Sequence, residues 1–113
     1  MNARFPGFPG FPGHARLLTS LADAVARCQP RKRVAVLLIR VRHLSEIKSI
    51  HGYEAAEAIV GCTAERAHAV LRETDLIERI EDACFALVLP DLAAAGQAEL
   101  AAARLVRSCQ QLL

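Results

Sequence analysis

From His14 onward apolar residues recur at spacings of three and four, at Leu17, Leu18, Leu21, Ala22, Val25 and Ala26. That is the period of an amphipathic helix, and Gln29-Pro30 ends it because proline cannot donate the next helical hydrogen bond. Val34-Ala35-Val36-Leu37-Leu38-Ile39 then runs without a polar break. Such a β-branched and aliphatic run reads as a strand buried on both faces, at the centre of a sheet. Helical spacing returns from about Leu44 to Arg72, with a stripe through Ala55, Ile59, Cys62, Ala67 and Val70, and Gly52 breaks or turns it. Leu76–Ile80 and Ala83–Leu89 flank Glu81-Asp82 at hairpin spacing, and Pro90-Asp91 closes the second strand. From about Ala94 to Leu112 the pattern predicts a last helix with Leu100, Leu105, Val106, Cys109 and Leu112 facing inward.

The order is α-β-α-β-β-α, an α+β sandwich of the ferredoxin-like kind. The strand expected after the last helix is missing, which leaves one sheet edge unpaired. Either the chain is a piece of something longer or a partner supplies the cover. Residues 1–13 contain Phe-Pro-Gly three times in succession, ending at Gly13. Proline fixes one dihedral and glycine frees the next, so this segment reads as an extended or turning leader to a domain at residues 14–113.

Composition narrows the class. With 113 residues, 53% of them apolar and 23% charged, the chain is one globular domain and not an intrinsically disordered protein. The net charge of +2 is too small to argue for nucleic acid, and none is expected as a partner. Its distribution is uneven: residues 1–33 hold six basic groups against Asp23, whereas residues 34–113 hold eight against eleven acids. Cys28, Cys62, Cys84 and Cys109 form no CxxC or Cys/His cluster, so no zinc and no other cofactor is expected. The longest aliphatic run is too short to cross a bilayer, so no membrane insertion is expected. Cytoplasmic placement with reduced thiols is the expectation.

Several segments carry a resemblance. Val34–Arg42, Gly52-Tyr53-Glu54-Ala55-Ala56-Glu57, Leu71-Arg72-Glu73-Thr74-Asp75 and Arg79–Pro90 look like those of a GGDEF (diguanylate cyclase) domain. Phe11-Pro12-Gly13-His14 stands where that family has a Leu-Pro-Asn-Arg start to its first helix. The likeness runs from Phe11 almost to the end and stops before the family's closing strands. It implies a GGDEF-type α/β sandwich, and a cytoplasmic signalling protein built around cyclic di-GMP.

The signature itself is altered. In place of Gly-Gly-Asp-Glu-Phe the chain has Glu81-Asp82-Ala83-Cys84-Phe85. A Gly-Gly turn reaches positive φ and lets backbone approach phosphates, whereas Glu81-Asp82 adds two negative charges that repel a triphosphate. Ala83 stands where the resemblance implies a metal-binding carboxylate, and Cys84 replaces the second acid. Arg40 and Arg42 occupy the positions of the family's Asp-x-Asp, and guanidinium offers magnesium no oxygen. Lys48 stands at the guanine-reading Asn position, while Glu57 keeps one guanine-contacting carboxylate. Metal-assisted phosphoryl transfer between two GTP molecules is therefore not expected, nor is a bound metal. Arg40 and Arg42 could instead hold an anionic nucleotide, or pair with Glu81 and Asp82 across the cleft.

Arg72-Glu73-Thr74-Asp75 matches the family's RxxD inhibitory site for cyclic di-GMP, six residues before Glu81. Arg can donate twice to guanine O6 and N7, and Asp can accept from N1 and N2. Both are expected at a helix end, with Arg79 near enough to assist. His43 and His51 have no Ser, Cys or carboxylate at a convincing spacing, while His68 lies on the long helix and His14 at a helix start. Two readings follow: a catalytically inactive domain that receives cyclic di-GMP at Arg72 and Asp75, or a module that binds no nucleotide. The second would form a homodimer or regulate a neighbouring EAL or sensor domain.

Overall fold

The computed structural model describes residues 11–110. The elements are α1 (Gly13–Arg27), β1 (Arg33–Arg40), α2 (Leu44–His51), α3 (Tyr53–Val70), β2 (Leu76–Glu81), β3 (Cys84–Leu92) and α4 (Ala95–Gln110). The sheet is antiparallel throughout, in the order β1-β3-β2. This is the expected α+β architecture with a ferredoxin-like element order. Residues 1–10, most of the proposed leader, and Leu112 lie outside the described residues. Of the last Phe-Pro-Gly unit, Gly13 opens α1 and is buried.

The centre of the sheet is β3, not β1. Cys84 to Leu89 are all buried, whereas Val36 and Leu38 on β1 are 44% and 65% exposed. The apolar run of β1 was a fair signal for a strand but not for its place. An edge strand covered by helices on only one face also permits aliphatic residues throughout. On β3 the two faces separate by strict alternation. Phe85, Leu87 and Leu89 join Leu44, Val60, Ala67 and Leu105 in the larger core under α2, α3 and α4. Ala86 and Val88 point the other way, into a smaller core with Leu17 and Ala24 of α1. Leu87 is fully enclosed, and burying such a side chain contributes about 1.5–3 kcal/mol.

Local chemistry sets the boundaries. Gly52 separates α2 from α3 because its φ of 94° is open only to glycine at ordinary cost. The buried stripe of α3 is Ala56, Val60, Thr63 and Ala67, mostly one residue later than the predicted one. Thr63 is tolerated inside because its hydroxyl donates to the Ile59 carbonyl at 2.9 Å. On α4 only Leu105 is fully buried, and Leu100 and Val106 lie exposed instead of inward. Pro90-Asp91 does not close β3. The strand continues to Leu92 through an irregularity opposite Arg33–Ala35, where Asp91 adopts φ 53° and its carboxylate accepts from the Gln29 N–H.

Candidate functional site

The hairpin between β2 and β3 turns at Asp82-Ala83, one residue later than expected, with Glu81 opposite Cys84. Its acids face β1 and α2, and Arg79 faces α3. Arg79, at the end of β2, forms a two-pronged pair with Glu57 of α3, through Nη1 at 3.0 Å and Nη2 at 2.9 Å. The same guanidinium donates to the Asp82 carbonyl at 2.6 Å and to its carboxylate at 3.2 Å. Lys48 of α2 closes on the Asp82 carboxylate and lies 5.9 Å from the Tyr53 ring centre. Arg40, where β1 ends, faces Glu81 at 3.6 Å. Phe11 covers the far side of Arg79, 5.4 Å from ring centre to guanidinium.

This network brings together Arg40, Lys48, Glu57, Glu81 and Asp82, the positions the sequence singled out. Arg79 belongs here and not with Arg72 and Asp75. Arg42 is exposed and forms no ion pair among the described residues, so only Arg40 of the two arginines crosses to the hairpin. Glu57 sits below the usual glutamate range because Arg79 donates to its charged form, and Arg79 is raised by the same bond. Cys84 is 2% exposed, and burial pushes its thiol up, which suits packing and not reactivity. A divalent cation does not fit this donor set. Arg40 and Arg42 carry guanidinium groups and Ala83 a methyl group, and Glu57 and Asp82 already face cations. Among the described residues no three His, Cys, Asp or Glu side chains gather as metal ligands.

The RxxD segment is a turn, not a helix end. α3 stops at Val70, Leu71 is extended, and the Asp75 N–H donates to the Arg72 carbonyl at 3.1 Å. Asp75 folds back onto Arg72: its carboxylate accepts from the Arg72 backbone N–H at 2.8 Å and from Nη2 at 2.7 Å. Arg72 also reaches the Pro90 carbonyl at 2.6 Å, which ties the turn to β3. The Asp75 side chain is only 3% exposed, whereas that of Arg72 is 45% exposed. Arg72 is raised by its bond to Asp75. The guanine-accepting face drawn for Asp75 is thus occupied by its own motif partner.

Sequence reasoning missed three contacts: Arg79 with Glu57, Lys48 with Asp82, and Phe11 over Arg79. Opposite charges at the ends of neighbouring elements were the available signal for the first two. The histidines gather nowhere; His43 adopts φ 61° before α2 and pairs with Glu46 at 3.1 Å, which lowers the Glu46 carboxyl.

The family model described as "Diguanylate cyclase, GGDEF domain" matches residues 8–113. No curated protein sequence matches significantly. Among solved structures, the GGDEF domain of PA1120 (YfiN or TpbB) from Pseudomonas aeruginosa is 32% identical, with a TM-score of 0.71 over 83% of this chain and 56% of that one. A sensory box/GGDEF family protein from Caulobacter crescentus is 28% identical, with a TM-score of 0.76 over 90% of this chain and 67% of that one. The diguanylate cyclase SiaD of Pseudomonas aeruginosa, solved with its activator SiaC, shares the fold at 24% identity and a TM-score of 0.74, over 90% of this chain and 39% of that one. The chain thus spans little more than half the length of the PA1120 structure. Two strands of evidence, the sequence model and the backbone likeness, agree that this chain belongs to the GGDEF domain family.

Proposed function

We propose that this is a GGDEF domain that does not turn over GTP and acts as a regulatory module in cyclic di-GMP signalling. One observation carries the reading. Where the family's chemistry would place metal and triphosphate, side chains of this molecule pair with each other: Arg79 with Glu57 and Asp82, Lys48 with Asp82, and Arg40 with Glu81. Phosphoryl transfer needs bound cations to neutralise developing charge, and Arg40, Arg42 and Ala83 supply no ligand for one. The test is to incubate the chain with GTP and magnesium and to follow cyclic di-GMP by ion-pair chromatography. No product is expected; magnesium-dependent formation of cyclic di-GMP by the chain would overturn the reading.

A second reading, reception of cyclic di-GMP at Arg72 and Asp75, is favoured by the half-exposed Arg72 guanidinium beside a surface turn. Binding there requires the Asp75 carboxylate to leave Arg72. Titration calorimetry with cyclic di-GMP, repeated on Arg72→Lys, decides it. Lysine keeps a charge near Asp75 but loses the two-pronged guanine contact, so binding that disappears supports the receptor. No binding to either chain leaves a module that works through protein contacts, as a homodimer or beside a neighbouring domain.

A further inference from the structure

Arg79 is gripped from three places, and the turn that enters α1 is one of them. In its plane the guanidinium is nearly saturated: Nη1 and Nη2 donate to the Glu57 carboxylate, and Nε and Nη2 to the Asp82 carbonyl. What remains is its flat face, and there Phe11 sits, 5.4 Å from ring centre to guanidinium. A ring in that position attracts the cation without taking any of its N–H groups.

The same turn meets β2 twice more. Gly13 packs so closely on the Arg79 carbonyl that a Cβ has no room there. Further along α1, Arg16 donates from Nε to both carboxylate oxygens of Glu78, at 3.1 Å each. The turn is itself stiff. The ring of Pro12 fixes its φ, and the His14 and Arg16 N–H groups donate to the Phe11 and Pro12 carbonyls at 3.1 and 3.2 Å. Phe11, Gly13 and Arg16 are thus tied to β2 as one body, whereas Lys48 and Arg40 hold the hairpin from α2 and β1.

We propose that this entry turn is a latch on the ion-paired cleft: Phe11 holds Arg79 against Glu57 and Asp82, and lifting Phe11 away loosens the tie between the hairpin and α3. Phe11 acts through Arg79, as a positioning residue. The inference deepens the regulatory reading and rests on it, by naming the point at which the cleft is controlled.

The test reads Arg79 and Glu57 directly. Exchange of the Arg79 Nε–H with water, followed by NMR, is expected to quicken about two- to fivefold in Phe11→Ala, the population change that loss of a partly exposed cation–π contact brings. The Glu57 carboxyl, titrated by carbon NMR in the same variant, is expected to move up toward the ordinary glutamate value. Phe11→Tyr keeps a ring and should match the wild type in both readings. Phe11→Leu keeps the bulk without the ring and should behave as Phe11→Ala does, so it carries the test if the alanine variant fails to fold. Wild-type exchange and titration in Phe11→Ala or in Phe11→Leu overturns the proposal. Arg79→Gln separates the two possible failures, because it removes the pair itself. A Glu57 that moves up in Arg79→Gln but stays in place in Phe11→Ala loses only the latch. One that moves in neither loses the ion-paired cleft as well.

Discussion

The chain contains the spacing Arg-x-x-Asp twice within eleven residues, at Arg72–Asp75 and at Arg79–Asp82, and folds them in opposite ways. In the first the acid is buried, at 3% exposure, and the arginine half out in solvent. In the second the arginine is the more enclosed, at 24%, and the acid lies 49% exposed. The difference comes from what each backbone does. A turn after α3 wraps around its own carboxylate, so Asp75 takes the backbone N–H and side chain of Arg72. At the hairpin the strand holds Arg79 beneath Phe11 and against Glu57, and Asp82 points outward to Lys48. Spacing alone therefore says little about role. Burial decides which member of each pair the fold depends on.

Breaking the first pair has the largest expected effect. Arg72→Ala leaves a buried carboxylate with one backbone donor and cuts the tie to Pro90. Loss of a buried hydrogen-bonded partner costs about 1–3 kcal/mol, and the half-exposed arginine puts the expectation near 2 in urea unfolding. A loss under about 0.5 kcal/mol, the usual worth of a surface substitution, would show that the turn does not depend on this pair. An exposed arginine ordinarily contributes little to a fold. Its partner's burial reverses that.

Gly13→Ala probes the second region at its backbone. A Cβ on Gly13 runs into the Arg79 carbonyl, so α1 must shift away from β2 or Arg79 must move. Overpacking of this kind costs about 1–3 kcal/mol, read as a lowered Tm. Arg16 and Glu78, paired at 3.1 Å across the same seam, resist the separation.

Glu57→Gln sharpens the comparison through pH. The pair with Arg79 is partly exposed, so its loss costs about 0.5–1 kcal/mol at neutral pH. Because Arg79 holds the Glu57 pKa below the ordinary glutamate value, its stabilisation is complete above that value and fades as pH falls through the lowered one. The gap between the two proteins should shrink below about pH 4.3, the unperturbed value, in unfolding curves recorded across that range. A gap that widens in acid contradicts the assignment. Arg40→Ala should have the smallest effect, at most about 0.5 kcal/mol, since a surface pair at 3.6 Å is shared with solvent.

The order of elements was legible because it depends on local periodicity and on the hairpin spacing around Glu81-Asp82. The rank of β1 in the sheet was not. Val34–Ile39 looks the same at a centre or at an edge, and only the pairing partners distinguish them. The altered signature was legible residue by residue, including the Arg40–Glu81 pair. The capture of Arg79 by Glu57 was not, because those residues are 22 apart in the chain and meet only when α3 packs beside the hairpin. Asp75 was misread in the other direction: side-chain exposure depends on the turn after Val70, which the helical pattern carried past its true end.

The central claim is that internal ion pairs stand where GTP and metal would bind. Calorimetric titration of the chain with GTP and magnesium, with the product assayed in the same sample, addresses it directly. The account predicts no heat of binding and no cyclic di-GMP. Saturable GTP binding that depends on magnesium, with product formed, would contradict it.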